Sequence, residues 1–105
     1  MFLKKDVVDF VVGVQMDIVS LDNTMKKQFI PEIDLEDPDM KSILTYVRDI
    51  KESITDVQAV IGVLMAKVSQ CKGATLDNVD DEVQIVEEFS KMIQSVKINL
   101  EPLYI

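Results

Sequence analysis

The chain contains no histidine and only one cysteine, Cys71. Without imidazole it lacks the commonest general base and proton shuttle near neutral pH. Histidine metal sites, a histidine phosphorelay and every triad built on that residue are excluded with it. A lone thiol forbids an internal disulfide and fits a reducing compartment. Cys71 falls on an apolar helical seam close to a helix C-terminus, the end that does not activate a thiol. It is expected to be a packing residue.

Glycine and proline are scarce, with three of each. Gly13, Gly62 and Gly73 stand far apart, so no phosphate loop or dinucleotide fingerprint can be assembled. The acidic connectors fail as calcium loops, which need oxygen ligands at places 1, 3 and 5 and glycine at place 6. Counting from Asp34, Pro38 falls at place 5 and Asp39 at place 6; counting from Asp77, Val79 falls at place 3. Glu87 and Glu88 are adjacent, so they cannot face each other across a metal as a bridging pair would. No catalytic residue, cofactor or metal is expected, and the chain is read as not an enzyme.

Positive charge is also short. There are 11 basic residues, only one of them arginine (Arg48), against 19 acidic ones, and the net charge is −8. Such a chain repels nucleic-acid phosphates and anionic membrane surfaces. Tyr46 and Tyr104 are too isolated for a base-stacking platform. Direct nucleic-acid binding and membrane association are not expected. No apolar run reaches the roughly 18–20 residues of a spanning helix. The apolar N-terminal stretch is broken by Asp6, Asp9, Gln15 and Asp17, unlike a signal peptide. A soluble, cytoplasmic protein is the expectation.

What the chain has in abundance is apolar side chain: 48% of 105 residues, with a mean hydropathy of +0.15. A single domain of this length buries only about two thirds of its unfolded surface. Either the core is unusually dense, or another chain covers part of the apolar surface.

The breaks at Pro31–Pro38 and at Gly73–Asn78 leave three long segments. In the first, Val7, Val11, Val14, Ile18, Leu21 and Met25 recur at spacings of four and three, a helical seam. The second opens with Asp37 as cap and Pro38 at the first helical place. It carries Met40, Ile43, Val47, Ile50, Ile54, Val57, Ile61, Leu64, Val68 and Cys71 in the same rhythm. Gly73 is expected to close it in a left-handed cap. The third, capped by Asp77 or Asn78, carries Val79, Val83, Val86, Phe89, Ile93, Val96 and Leu100, with Ile85 and Met92 widening the stripe. The spacing predicts helices over about 4–29, 38–72 and 78–100. Short connectors favour antiparallel neighbours. The expected fold is all-α: a single-domain antiparallel three-helix bundle of long, coiled-coil-like helices, with a helical hairpin whose third helix packs onto a second copy as the alternative. The apolar tail after Leu100 is expected to fold back on the first half of the second helix.

Two stretches are more apolar than one buried stripe requires. Val8, Val12, Met16 and Val19 form a second stripe on the first helix. Val60 and Val63 lie outside the main seam of the second, beside Ala59, Gly62 and Ala66. Antiparallel packing brings both stretches to the end of the molecule far from Pro31–Pro38. Val8, Val12, Val19, Val60 and Val63 are therefore the candidate partner-binding surface; the competing reading is that a three-helix bundle covers them all itself.

Two functions follow. The first is a helical protein–protein interaction module (assembly, adaptor or chaperone-like) that associates with itself as a homo-oligomer. The second is an acidic inhibitor, of the phage or bacterial immunity type, that blocks a basic target such as a nucleic-acid-binding protein. Its binding surface would be Asp80, Asp81, Glu82, Glu87 and Glu88 on the third helix, with Glu32, Asp34, Glu36 and Asp37 in the connector.

Overall fold

The computed structural model describes residues 1–27, 34 and 36–104. Among these, the chain forms three α-helices, α1 (Lys4–Met25), α2 (Pro38–Gln70) and α3 (Asp80–Leu100). A two-residue strand β1 (Phe2–Leu3) precedes α1, and another, β2 (Thr75–Leu76), precedes α3. The expected all-α, three-helix arrangement is what the chain adopts.

The four-three seams are the core. All six apolar positions of the first seam are buried, as are Val47, Ile50, Val57, Ile61, Leu64 and Val68 on α2. From α3 come Val86, Phe89, Ile93, Val96 and Leu100. Side-chain pairs between helices set their directions. Lys4 Nζ reaches the Cys71 carbonyl at 2.6 Å, and the Gln15 and Gln58 amides exchange hydrogen bonds at 2.9 Å. Partners thus descend along α2 as they ascend along α1, so these two helices are antiparallel. Lys67 meets Glu82 at 2.7 Å, and Gln94 donates to Asp17 at 3.0 Å. The turn between α2 and α3 makes those two antiparallel as well, and α3 runs alongside α1 in the same direction.

With 33 residues, α2 is about 50 Å long at 1.5 Å per residue. It accounts for most of the 55 Å long axis of the molecule. Carried along the helices, the pairings put Met25 and Leu100 near the level of Ile50. The first turns of α2 therefore run past the last turns of α1 and α3. Its start is capped as expected: Asp37 Oδ1 accepts the Asp39 N–H at 2.8 Å, with Pro38 next to the cap. Replacing Asp37 by alanine should cost about 0.5–2 kcal/mol, read as a lower midpoint in thermal unfolding; an unchanged midpoint would show that this end frays already.

Three helix ends depart from expectation. The first helix stops at Met25 rather than at residue 29; Lys26 and Lys27 form a turn, and residues 28 and 29 lie outside the described ones. The second stops at Gln70, not 72, with Cys71 already extended (φ −79°, ψ 126°). Gly73 has no positive φ; the left-handed residue is Asn78, at φ 60°. The third begins at Asp80 rather than 78, after Val79, and neither Asp77 nor Asn78 supplies a side-chain cap.

One cause underlies the last two. Phe2 pairs with Leu76 and Leu3 with Thr75 in an antiparallel clasp, so the connector must leave α2 extended instead of coiling into a glycine cap. Leu76 and Val79 are both buried by this path, which puts an apolar residue at the N-cap position of α3. Asn78, a residue type that tolerates the left-handed region, turns the chain into α3.

The C-terminal tail turns inward after Leu100 through a short 3-10 turn, Glu101–Leu103. Leu100 and Tyr104 join the core cluster that also contains Val47 and Ile50, and Leu103 packs against it. Burial pushes the Tyr104 phenol above its ordinary pKa, because the phenolate would lose water. Ile105 lies outside the described residues.

Candidate interaction surface

On α1, residues two positions apart stand about 200° apart round the helix. Val14, Ile18 and Leu21 are core; Met16 therefore points almost directly away from it, and Val12 and Val19 lie on the outer side of α1, turned toward the flank of Gln15. Their exposures are 52%, 68% and 57%. Val8, in line with them, is half-buried. The stripe borders an open groove of about 750 Å³ that continues past Asn23 and Lys27 to Glu101. Val63 on α2 is 50% exposed, and Val60 is half-buried against the core.

The five candidate valines do not form one surface. Gln15 follows Val8 and Val12 and precedes Val19 on one flank of α1, and its bond to Gln58 makes that the flank beside α2. On α2, Val60, Val63 and Lys67 continue a single stripe, and the Lys67–Glu82 pair makes it the flank beside α3. Gln58 lies on the opposite flank of α2. Val8, Val12 and Val19 thus edge the α1–α2 seam, whereas Val60 and Val63 edge the α2–α3 seam. The sequence pattern carries each stripe but not the order of helices around the bundle, so it could not separate them. Gly13 and Gly62 are open, with nothing within 4 Å of an added Cβ.

Ile85 and Met92, expected to widen the buried stripe of α3, are exposed instead. On α3, Val83, Glu87 and Gln94 face α1: the first two border a pocket with Phe2, Asp6 and Phe10, and Gln94 bonds to Asp17. Asp81, Ile85, Glu88 and Met92 form a stripe on the other flank, beside α2. They face the same seam as Val60 and Val63. This membership was legible only in part; the four-three run 81–85–88–92 is visible in the sequence, but its side is not. Ile98 is also exposed, and as a single apolar residue it calls for no partner.

The acidic residues are dispersed. Asp80 and Glu87 lie toward α1, and Asp81 and Glu88 toward α2. Glu82 turns inward, half-buried on Lys67. Glu87 is 3.7 Å from Lys91. Asp34, Glu36 and Asp37 are exposed at the opposite end of the long axis, and Glu32 lies outside the described residues. The acids of α3 and of the connector therefore make no common surface.

Lys67 ties the start of α3 to α2. Its ammonium donates to the Asn78 carbonyl at 2.8 Å and to Glu82 Oε1 at 2.7 Å. The Lys67 hydrogen bond, and then the N–H of Glu82 itself, hold the Glu82 carboxyl below its ordinary pKa. A carboxylate with a depressed folded-state pKa stabilises the fold above its unfolded value, and that contribution is lost as pH falls through the folded one. Stability should therefore decline on acidification below the ordinary glutamate range, and Glu82→Gln should make the decline shallower. Urea midpoints taken at successively lower pH check this; an unchanged slope would assign the acid sensitivity to other carboxylates.

Cys71 is half-buried, and its thiol donates to the Thr75 carbonyl at 3.1 Å. Among the described residues no group of three or more Cys, Asp or Glu is placed to hold a metal ion. Among the same residues no helix is long and apolar enough to cross a membrane. No protein family, curated protein or solved structure matches this chain.

Proposed function

We propose that the chain is a non-enzymatic, cytoplasmic protein–protein interaction module of the assembly, adaptor or chaperone-like kind, and that it associates with itself. The observation that carries this reading is the outward stripe Val12, Met16 and Val19, which is exposed by more than half while the seam two residues away is buried. Three large apolar side chains in register on one helix face are unlike the scattered exposed residues of ordinary surfaces.

Light scattering on the eluting protein tests it. A mass above the 11.9 kDa of one chain, retained in high salt, is the expected result. Val12→Glu should return the protein to monomer, weakening association at least about tenfold, with helical circular dichroism unchanged. A parent protein that is monomeric in low and high salt alike would sink the reading. The acidic-inhibitor alternative has less support, because its carboxylates are spread over different flanks and opposite ends.

A further inference from the structure

We propose that the self-association is head-to-tail: the outward stripe of α1 on one copy seats in the α2–α3 furrow of the next. This rests on the self-association proposed above and specifies its two surfaces.

The first argument is shape. Val12, Met16 and Val19 stand out from a single helix along one side of the groove that runs to Glu101. Val60 and Val63 on α2, with Ile85 and Met92 on α3, edge the shallow furrow between two packed helices. Extending the Lys67–Glu82 pairing puts Val63 and Ile85 at one level. A helix ridge laid into such a furrow is a recurrent recognition mode, and it packs ridge into groove as helices within a fold do.

The second argument is charge. The protein is strongly acidic, yet the α1–α2 face is its basic side. Lys5 precedes the stripe at one end and Lys26 and Lys27 follow it at the other, with Lys51 across the seam in line with Gln58. Against these stand Asp9, Asp22, which is 3.0 Å from Lys26, and Glu101 at the Lys27 end of the groove, so the lysines exceed the carboxylates by one. The α2–α3 furrow has the opposite rim. Asp49, Glu52 and Asp56 continue the stripe of Val60 and Val63, and Asp81 and Glu88 alternate with Ile85 and Met92. All five carboxylates are exposed. The one lysine in these two stripes, Lys67, is held by Glu82 and Asn78.

A two-fold contact of α1 stripe on α1 stripe would bring together two faces that each carry a small positive excess. A two-fold contact of furrow on furrow would set acids against acids. Only the heterologous contact brings unlike rims together, and opposed rims of like charge are disfavoured. A heterologous contact generates a ring where the rotation closes and an open chain where it does not.

Complementary variants test the arrangement. Val12→Glu puts a carboxylate on the stripe that must meet the acidic rim, and Val63→Lys puts an ammonium in the furrow that must meet the basic rim. Each variant, its helicity checked by circular dichroism, should be monomeric alone. Mixed, each still offers one intact surface, so they should form a complex of at least twice the 11.9 kDa chain mass, extended further where the Val12→Glu stripe of one variant meets the Val63→Lys furrow of the other. Met16→Glu with Ile85→Lys is a second pair that repeats the test if either first variant fails to fold.

If Val63→Lys still assembles like the parent while Val12→Glu does not, the contact is two-fold through α1; self-association then stands and the head-to-tail arrangement falls. A mixture that stays monomeric overturns the arrangement as well. A monomeric parent removes the self-association on which it rests.

Discussion

Leu64→Ala is expected to destabilise the protein by about 2–5 kcal/mol. Leu64 is fully buried in the C-terminal third of the α2 seam, between the levels of the Gln15–Gln58 and Lys67–Glu82 pairs. Three helices converge there, with Val11, Val14 and Val86 also buried in the same cluster. Removing the isobutyl tip loses its transfer free energy and opens a cavity. Valine walls cannot reach in to close such a hole, because a β-branched side chain is held to few rotamers. The total stability of a domain this size is of the order of 5–15 kcal/mol, so the variant should lose a large share of it. Urea unfolding followed by circular dichroism gives the shift in midpoint, and the slope should stay unchanged if unfolding remains two-state. A loss under about 1 kcal/mol would mean the helices collapse onto the vacated volume, and the seam would then be more loosely packed than its burial indicates.

The seam itself was legible before any coordinates, for a plain physical reason. A four-three rhythm sustained over six or more positions has one geometric solution, a helix with one face toward its neighbours. The buried residues of α1 follow it from Val7 to Met25. The ends of the helices were less legible because they are decided by contacts distant in sequence. Gly73 is a good cap by local rules, but pairing of Thr75 and Leu76 with Phe2 and Leu3 requires the chain to run extended there. Two-residue strands leave no periodic trace in a sequence.

The candidate surface was legible as stripes and illegible as a whole. Val12 and Val63 are each recognisable as apolar residues outside a seam. Whether they meet depends on which flank of α2 carries α1 and which carries α3, and that is a property of the packed bundle. The same uncertainty concealed Ile85 and Met92, which lie just off the core stripe of α3. A wider buried face would cover them; a face met by α1 on one side and α2 on the other leaves them at the rim.

The division between buried seam and outward stripe can be tested most sharply at two consecutive residues, Ile18 and Val19, whose exposures are 4% and 57%. Ile18→Asp is expected to unfold the protein. It removes a core side chain and places a carboxylate among apolar neighbours from all three helices, with no cation to pair it; an unpaired buried charge costs several kcal/mol even after relaxation. The variant should have lost its cooperative thermal transition and much of its helical signal at neutral pH. Val19→Asp changes the chain by the same chemistry one residue later, on a face turned to solvent. Its effect on stability should stay within about 0.5 kcal/mol, because aspartate and valine differ little in helix propensity. Its effect should instead fall on association: a carboxylate in the stripe would meet the acidic rim of the neighbouring copy, and the protein should elute as a monomer. Thermal unfolding and light scattering on the two variants together separate the terms. If Val19→Asp were to unfold the protein as Ile18→Asp does, the outer stripe would be part of the core, and the apolar surplus of this chain would be spent within one molecule.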